Sequence, residues 1–233
     1  MTRLLTILSD LISPRLCAVC GCRLATDEET ICTVCNTCLP RTYYARDIKT
    51  ATDNEMARLF RRIIPIERAA ALFFFHPHSE TARVIYKMKY GHNPQTAVDM
   101  GHVLANELMP GGFFEGIDAI VPVPLAGNRQ RQRGYNQSVM IARGIGEVTH
   151  IKVLNGTVRR APFKESNTRK DRWQRMDNVD GVFTLRDAAA LRGKHILVVD
   201  DVVTTGVTVT ALGQELAKTG DITISVASLG YTR

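Results

Sequence analysis

The chain has 233 residues, of which 45% are hydrophobic and 23% are charged, and its formal net charge is +7 at pH 7. This composition is typical of one globular core of about 150–200 residues with a smaller unit attached. No apolar run approaches the ~20 residues that span a bilayer, which excludes a membrane-spanning helix, and the basic balance fits polyanionic partners such as polyphosphate esters or nucleic acid.

The chain begins with MTRLLTILSDLISP. This stretch predicts a short amphipathic helix rather than a signal peptide, because Asp10 interrupts the apolar residues and no small-residue cleavage site follows. We therefore expect the protein to be cytoplasmic.

All six cysteines lie between Cys17 and Cys38, in the pattern CAVCGC followed by CTVCNTC. Two C-x-x-C pairs separated by a short loop are typical of a zinc ribbon, in which four thiolates surround a tetrahedral ion. A segment of about 40 residues has too small a core to fold alone, so metal binding would supply its stability. A set of reduced or redox-active thiols is the alternative.

The choice of four ligands rests on the residue after each pair. That residue tends to adopt a left-handed conformation, which Gly and Asn tolerate and Leu does not. Gly21 and Asn36 follow two of the candidate pairs, whereas Leu39 follows Cys38. The sequence therefore predicts that the ligands are Cys17, Cys20, Cys32 and Cys35, and it leaves Cys22 and Cys38 without a role.

The chain divides into three predicted parts: a helix and zinc ribbon at residues 1–45, a helical linker at residues 46–67 containing DNEMARLFRRI, and an α/β domain at residues 68–233. In the last part, strands are predicted at AAALFFFH, DAIVPVPL, IKVLNGTVRR, HILVVDD and ITISVASLG. Helices are predicted between them at SETARVIYKMKYG, at NPQTAVDMGHVLANEL with Asn93 as N-cap, at YNQSVMIARGIGEV and at TVTALGQELAKTG. This alternation predicts a mostly parallel, buried sheet flanked by helices.

Two strand ends carry the most informative residues, because ligands of parallel α/β sheets bind at the carboxyl ends of the strands. The first is VPVPL, and the second is ILVVDDVVTTGVT at residues 196–208. Backbone N–H groups between a strand and a helix favour the binding of a phosphate. Thr204, Thr205 and Thr208 add hydroxyl donors to that site, and Gly206 lets the backbone approach the anion. Asp200 and Asp201 would repel that phosphate, but carboxylates accept hydrogen bonds from the vicinal hydroxyls of a ribose. A ribose 5-phosphate satisfies both halves of the motif.

Three other interpretations of this stretch fit less well. A Walker-type loop needs a Gly-Lys pair that is missing, and RGIGEV lacks the third glycine of a dinucleotide fingerprint. A phosphoacceptor receiver domain opens with a similar strand, but only 32 residues follow Asp201. A strand and turn without any ligand is the remaining alternative.

Taken together, the motifs resemble those of the competence protein F (ComF) family. That family combines an N-terminal cysteine zinc ribbon, a VPVPL strand end followed by R-x-R-x-R-G-Y-N-Q, and the 5-phosphoribosyl 1-pyrophosphate motif of type I phosphoribosyltransferases. Here these elements are the paired cysteines, VPVPLAGNRQRQRGYNQS and ILVVDDVVTTGVT, so the resemblance covers nearly the whole chain. Asn167, in SNTRK, is a departure, because the family usually carries a glutamine there.

The resemblance implies a type I phosphoribosyltransferase fold, structural zinc, and binding of 5-phosphoribosyl 1-pyrophosphate with Mg²⁺ for transfer to an unidentified nitrogen acceptor. It assigns catalysis to Asp200 and Asp201. It places a phosphate turn at Thr204 to Thr208 for the 5-phosphate and a pyrophosphate loop at VPVPL, from Val121 to Leu125. The implied substrate-binding residues are Val202, Val203, Thr204, Thr205, Gly206, Val207 and Thr208 around the turn, Pro122, Val123 and Pro124 in the loop, and Arg129, Arg133, Asn136 and Gln137 after the loop. Asn136 has a second interpretation, as the cap of the following helix.

The basic segments leave a second function open. Arg129, Arg131 and Arg133 follow VPVPL, and the tract at residues 159–175 holds seven basic residues with Phe163 and Trp173 among them. Arginines bind phosphate oxygens in pairs, and basic segments with aromatics also bind single-stranded nucleic acid. The alternative hypothesis, which the family resemblance supports, is a non-enzymatic competence or DNA-uptake factor whose partners are single-stranded DNA or proteins of the transformation machinery.

Overall fold

The computed structural model describes residues 14–91, 93–161 and 181–233. The predicted amphipathic helix at the N-terminus, Asn167 and most of the basic tract at residues 159–175 lie outside these ranges. Within the described ranges, none of the helices has both the length and the apolar character needed to cross a membrane.

The cysteine-rich segment and the linker contribute three short helices: α1 (Thr33–Cys38), α2 (Ile48–Thr52) and α3 (Glu55–Phe60). Asp47 and Thr50 form a capping box at the start of α2. Asn54 caps α3 by accepting from the Ala57 N–H, and its amide donates to the Ala69 carbonyl at 2.7 Å. The linker is thereby fixed to the first strand of the sheet.

In the described part of the chain, five strands form one parallel sheet in the order β1-β7-β6-β2-β3. They are β1 (Ile66–Phe74), β2 (Ala119–Pro122), β3 (Lys152–Val153), β6 (His195–Val203) and β7 (Thr223–Tyr231). A separate antiparallel pair consists of β4 (Val158–Arg160) and β5 (Phe183–Leu185). The predicted α/β class with a parallel sheet is confirmed.

Helices cover both faces of the sheet: α4 (Glu80–Tyr90), α5 (Pro94–Leu108), α7 (Gln137–Thr149) and α8 (Val207–Ala217). Helix α6 (Gly127–Arg133) follows β2 in the chain, and its described side chains are largely exposed. A 3₁₀ turn, Met109–Gly111, follows α5. Asn93 caps α5 as predicted, since its side chain accepts from the Gln95 N–H. Along β6, Leu197 and Val199 pack into one core cluster while Ile196 and Val198 pack into the other. Burial on both faces explains the continuous apolar run of this strand.

Two local expectations need correction. The sequence predicts no helix directly after VPVPL, but the arginines there lie on helix α6, which ends at Gly134 with φ of +79°. The segment IKVLNGTVRR is predicted as one short strand, but it divides between β3, which joins the sheet, and β4, which pairs with β5. The turn at Asn155 and Gly156 separates the two strands.

Close packing of α5 on α7 sets the position of the second helix. A Cβ on Gly144 would lie 2.1 Å from the Val98 carbonyl oxygen, and one on Gly101 would lie 2.3 Å from the Ile141 carbonyl oxygen. Only glycine allows the two backbones to approach this closely. The approach holds the N-terminus of α7 above the sheet, where Ser138 begins the contacts of the candidate site.

Strand register brings the two predicted motifs together. Pro122 of β2 pairs with Val199 of β6, the residue immediately before Asp200. The VPVPL loop and the two carboxylates therefore leave adjacent strands at the same edge of the sheet.

Candidate functional site

Asp200 and Asp201, called the acid pair below, lie near the carboxyl end of β6. Ser138 Oγ donates a hydrogen bond to Asp200 Oδ1 at 3.0 Å, and the Asp201 backbone N–H donates to the same oxygen at 2.9 Å. Helix α7 and the strand itself thus fix the orientation of the Asp200 carboxyl group.

The electrostatics of Asp200 differ from those of an ordinary surface aspartate. Burial, together with the neighbouring charge of Asp201, raises the pKa of Asp200 to about 7, although the bonds from Asp201 N–H and Ser138 and the charge of Lys89 act in the opposite direction. Two adjacent carboxylates removed from water disfavour a second negative charge. Near neutral pH, Asp200 can therefore exist in either protonation state.

Lys89 is a site residue that the sequence reasoning missed. Its Nζ lies 3.1 Å from Asp201 Oδ2, and the exposed fractions of the two side chains are 21% and 14%. Lys89 belongs to the last turn of α4, far from β6 in sequence, in a segment where a basic residue is ordinary for a helix C-terminus. The sequence pattern therefore contained no signal that could have identified it.

The RGYNQ segment is tied to the end of α4. Tyr135 Oη donates to the Met88 carbonyl and, at 3.3 Å, to the Asn93 carbonyl. Gln137 Nε2 lies 3.5 Å from the same Met88 carbonyl, and Gln137 Oε1 accepts from Arg133 Nη1 at 2.9 Å. The predicted substrate residues Arg133 and Gln137 therefore make contacts within the protein in this structure.

Asn136 acts as a helix cap, which was one of its two predicted roles. Its Oδ1 accepts from the Ser138 N–H at 3.0 Å, and its Nδ2 donates to the Val123 carbonyl at 2.9 Å. The side chain is buried. Asn136 thereby connects the VPVPL loop to the start of α7.

The predicted phosphate turn connects β6 to α8. Residues 202–209 and Asp200 line a small cavity of about 40 Å³, and Thr204 and Thr205 are exposed at its edge. Gly206 is the N-cap of α8 with φ of +76°, and a Cβ there would lie 2.9 Å from Phe60 Cε1. The left-handed backbone of Gly206 and its contact with the linker helix both require glycine. The sequence indicates a different reason for glycine here, the close approach of the backbone to an anion.

A larger cleft of about 750 Å³ opens beside the VPVPL loop. Pro122 and Pro124 contribute to its wall, and no Asp or Glu is among the lining residues that the structure describes. Its basic lining residues are Arg131, Arg159, Arg160 and Arg186. Of the arginines considered after VPVPL, Arg131 reaches this cleft, Arg133 stacks on the Tyr90 ring at 5.5 Å, and the side chain of Arg129 lies outside the described part of the molecule.

The predicted zinc ligands are brought together. The sulfur atoms of Cys17, Cys20, Cys32 and Cys35 all lie within 4.8 Å of one another, so the four could hold one metal ion. Burial disfavours the thiolate of Cys17, but N–H groups of Cys32, Cys20 and Val19 outweigh this and lower the pKa of Cys17 to about 7. The arrangement is compatible with a zinc ribbon.

The residues that follow the two cysteine pairs differ in backbone conformation. Gly21 has φ of +78°, as expected for the residue after a metal-binding pair. Asn36 instead lies inside helix α1, so its tolerance of a left-handed backbone plays no part. Cys22 and Cys38 are exposed and stand outside the cluster.

Comparison with known proteins matches this chain to one domain family and to two named bacterial relatives. A family model described as "Phosphoribosyl transferase domain" matches residues 92–229. The DNA utilization protein YhgH of Shigella flexneri is 27% identical over 226 residues, covering 94% of this chain and 98% of that protein. Competence protein F of Haemophilus influenzae is 33% identical over 115 residues, covering 48% of this chain and 49% of that protein. Adenine phosphoribosyltransferase from Saccharomyces cerevisiae aligns over 60% of this chain and 72% of its own, with 18% identity and a TM-score of 0.36.

The raised pKa of Asp200 predicts a pH-dependent stability. An unfolded aspartate ionises near pH 3.9, so the folded protein holds an extra proton between about pH 4 and pH 7 and loses stability as the pH rises through this range. Asp200→Asn is neutral at every pH and lacks this loss. We expect the unfolding free energy of the variant relative to wild type to rise by on the order of 1–3 kcal/mol between about pH 5 and about pH 8. Urea unfolding at several pH values measures it.

Asp221→Asn is the matched control, because Asp221 is exposed and precedes the amino end of β7. The acid pair lies at the opposite, carboxyl end of the strands. Its stability difference from wild type should not change over the same range. A flat profile for Asp200→Asn as well would contradict a proton held at Asp200.

Proposed function

Because the chain belongs to the phosphoribosyl transferase domain family, we propose that it binds 5-phosphoribosyl 1-pyrophosphate and transfers the phosphoribosyl group to a nitrogen acceptor. The observation that carries this proposal is the segment from the end of β6 to the start of α8, where Asp200 and the phosphate turn line one small cavity and Asp201 is the residue between them. Backbone N–H groups at the start of α8 suit the 5-phosphate, and the carboxylates suit the ribose hydroxyls.

The reaction is a displacement at C1 of the ribose. The acceptor nitrogen forms a bond to C1 while the bond from C1 to the pyrophosphate oxygen breaks, and pyrophosphate leaves with the electron pair. Positioning of the sugar by Asp200 and Asp201 on one side and by the turn at residues 204–208 on the other would keep C1 open to the acceptor. With a pKa near neutrality, Asp200 in its ionised form is suited to take the proton that the nitrogen releases.

The leaving group would lie on the side of the VPVPL loop, since that loop leaves the strand next to the acid pair. Arg131 supplies a guanidinium there, which can bind two phosphate oxygens. Carboxylate and phosphate oxygens are the donors that Mg²⁺ prefers, so the acid pair and a bound pyrophosphate form a donor set that fits this ion. When bound, Mg²⁺ would offset the negative charge that develops on pyrophosphate.

We expect wild-type protein to bind 5-phosphoribosyl 1-pyrophosphate in the presence of Mg²⁺. Replacing both acids, Asp200→Asn/Asp201→Asn, should weaken binding at least about tenfold, because charged acceptors for the ribose hydroxyls are removed. Isothermal titration calorimetry measures the affinity, and Asp221→Asn, which removes a remote carboxylate, should bind like wild type. Absence of binding by wild type would overturn the proposal. Phosphorus NMR follows the release of pyrophosphate when ammonia or amines are supplied as acceptors. Binding without this release would overturn only the transfer step.

The cysteine cluster is proposed to hold structural zinc, since four sulfur ligands at this spacing suit a tetrahedral ion. Purified protein should contain about one zinc per chain by elemental analysis, because a closed site of four thiolates saturates with a single ion. Cys20→Ser should lower the zinc content and the melting temperature. Cys22→Ser is the matched control, since Cys22 is exposed and outside the cluster. Equal zinc loss in both variants would contradict this ligand set.

A second candidate function is binding of single-stranded nucleic acid, and the arginine-lined cleft is the observation that favours it. Arg159 and Arg186 line both this cleft and an adjoining cavity of about 350 Å³. Neither has a salt-bridge partner within the described ranges of the chain, so both charges are available to phosphates. The names of the two relatives, which mention DNA utilization and competence, agree with a nucleic-acid partner.

Arg159→Gln/Arg186→Gln should weaken binding of a fluorescent single-stranded oligonucleotide. The slope of log affinity against log salt should fall by about 0.7 for each phosphate that the variant no longer neutralises. Arg192→Gln/Lys194→Gln removes the same charge just before β6, at the other edge of the sheet, and should change neither quantity. An unchanged affinity and slope in the cleft variant would exclude the cleft as the binding surface.

A further inference from the structure

Helix α4 ends next to the acid pair, and its last turn is held from outside the helix. Tyr135 Oη and Gln137 Nε2 both point to the carbonyl of Met88, the residue immediately before Lys89. The Arg133 guanidinium stacks on Tyr90, the residue immediately after it. The RGYNQ segment therefore holds the backbone carbonyl before Lys89 and contacts the side chain after it.

The ammonium of Lys89 is directed from this fixed turn to Asp201. The distance of 3.1 Å is that of a hydrogen-bonded ion pair, and both side chains are largely shielded from water. Low exposure strengthens the pair relative to a surface salt bridge, whose net contribution is small. Next to it, Ser138 holds Asp200 from the first turn of α7.

We propose that Lys89 is a positioning residue of the sugar site, whose ammonium holds the Asp201 carboxylate beside Asp200 in the orientation that receives the ribose hydroxyls. This inference rests on the proposed binding of 5-phosphoribosyl 1-pyrophosphate. The RGYNQ side chains act through the Met88 carbonyl on the position of Lys89, and Lys89 acts on the acid pair.

The physical reason is mutual repulsion within the acid pair. Two carboxylates on consecutive residues repel each other, and each would turn away or take up a proton if nothing compensated its charge. Ser138 supplies a neutral hydrogen bond to Asp200, while Lys89 supplies a full positive charge to Asp201. The pair thus stays together before any ligand arrives, so that less ordering remains to be done on binding.

The test compares three lysine variants by calorimetry with 5-phosphoribosyl 1-pyrophosphate and Mg²⁺. Lys89→Met keeps the length of the side chain and removes the charge, and we expect its affinity to fall at least about tenfold. Lys89→Arg restores a cation and should recover most of the affinity. Lys87→Met is the matched control: it removes the same charge from the same turn, and Lys87 has no ion pair within the described residues.

Tyr135→Phe provides a second measurement, since it removes the hydroxyl that holds the Met88 carbonyl and keeps the ring. If Tyr135 acts through Lys89, Tyr135→Phe should weaken binding in the wild-type background and have no further effect in the Lys89→Met background. Melting curves of each variant establish that the protein is folded during the titration.

The outcomes are distinguishable. Weaker binding by Lys89→Met, recovery in Lys89→Arg and unchanged affinity in Lys87→Met support the role of Lys89. Wild type that binds while Lys89→Met binds within about twofold, or more tightly, overturns this role and leaves the proposed function standing. Wild type that fails to bind overturns the proposed function and this role with it.

Discussion

Two carboxylates on consecutive residues near the end of a buried strand repel each other, and each is contacted by a side chain from a different helix. Ser138 approaches Asp200 from the first turn of α7, and Lys89 approaches Asp201 from the last turn of α4. Both helices must stay in place for this to occur. The close backbone approach at Gly101 and Gly144 and the hydrogen bonds to the Met88 carbonyl are therefore parts of the same constraint.

The site has two sides that differ in charge. On β6, Asp200 and the turn before α8 line a small cavity, and Asp201 lies next to it in the chain. On the neighbouring β2 the VPVPL loop borders a wide cleft with arginines in its wall. Under the proposed function, the monophosphate of the ligand would meet the N–H donors at the start of α8, its diphosphate would meet the arginines, and its ribose hydroxyls would meet the carboxylates.

Several residues of the RGYNQ segment have structural roles that are easily mistaken for ligand binding. Asn136 caps α7 and holds the Val123 carbonyl, Gln137 accepts from Arg133, and Tyr135 donates to Met88. Their side chains are polar because they satisfy backbone groups at the junction of three elements, where a buried polar group without a partner is costly. A polar motif beside a site can thus contribute to the site by holding the helix ends and loops around it in place.

The sequence by itself determined the α/β class, the order of the main strands and helices, and the position of both motifs at strand ends, because apolar runs, caps and strand-end polar residues are local features. It did not predict α6 or β5, and it took β3 and β4 as one strand. It also grouped the four clustered cysteines by their spacing, although the argument from Asn36 failed because that residue is helical. Only the tertiary structure joined Lys89 to Asp201, Ser138 to Asp200 and Tyr135 to Met88. These partners are separated by long stretches of chain, 62 residues for Ser138 and Asp200, and no local pattern records which distant side chains the packing of helices on a sheet will bring into contact.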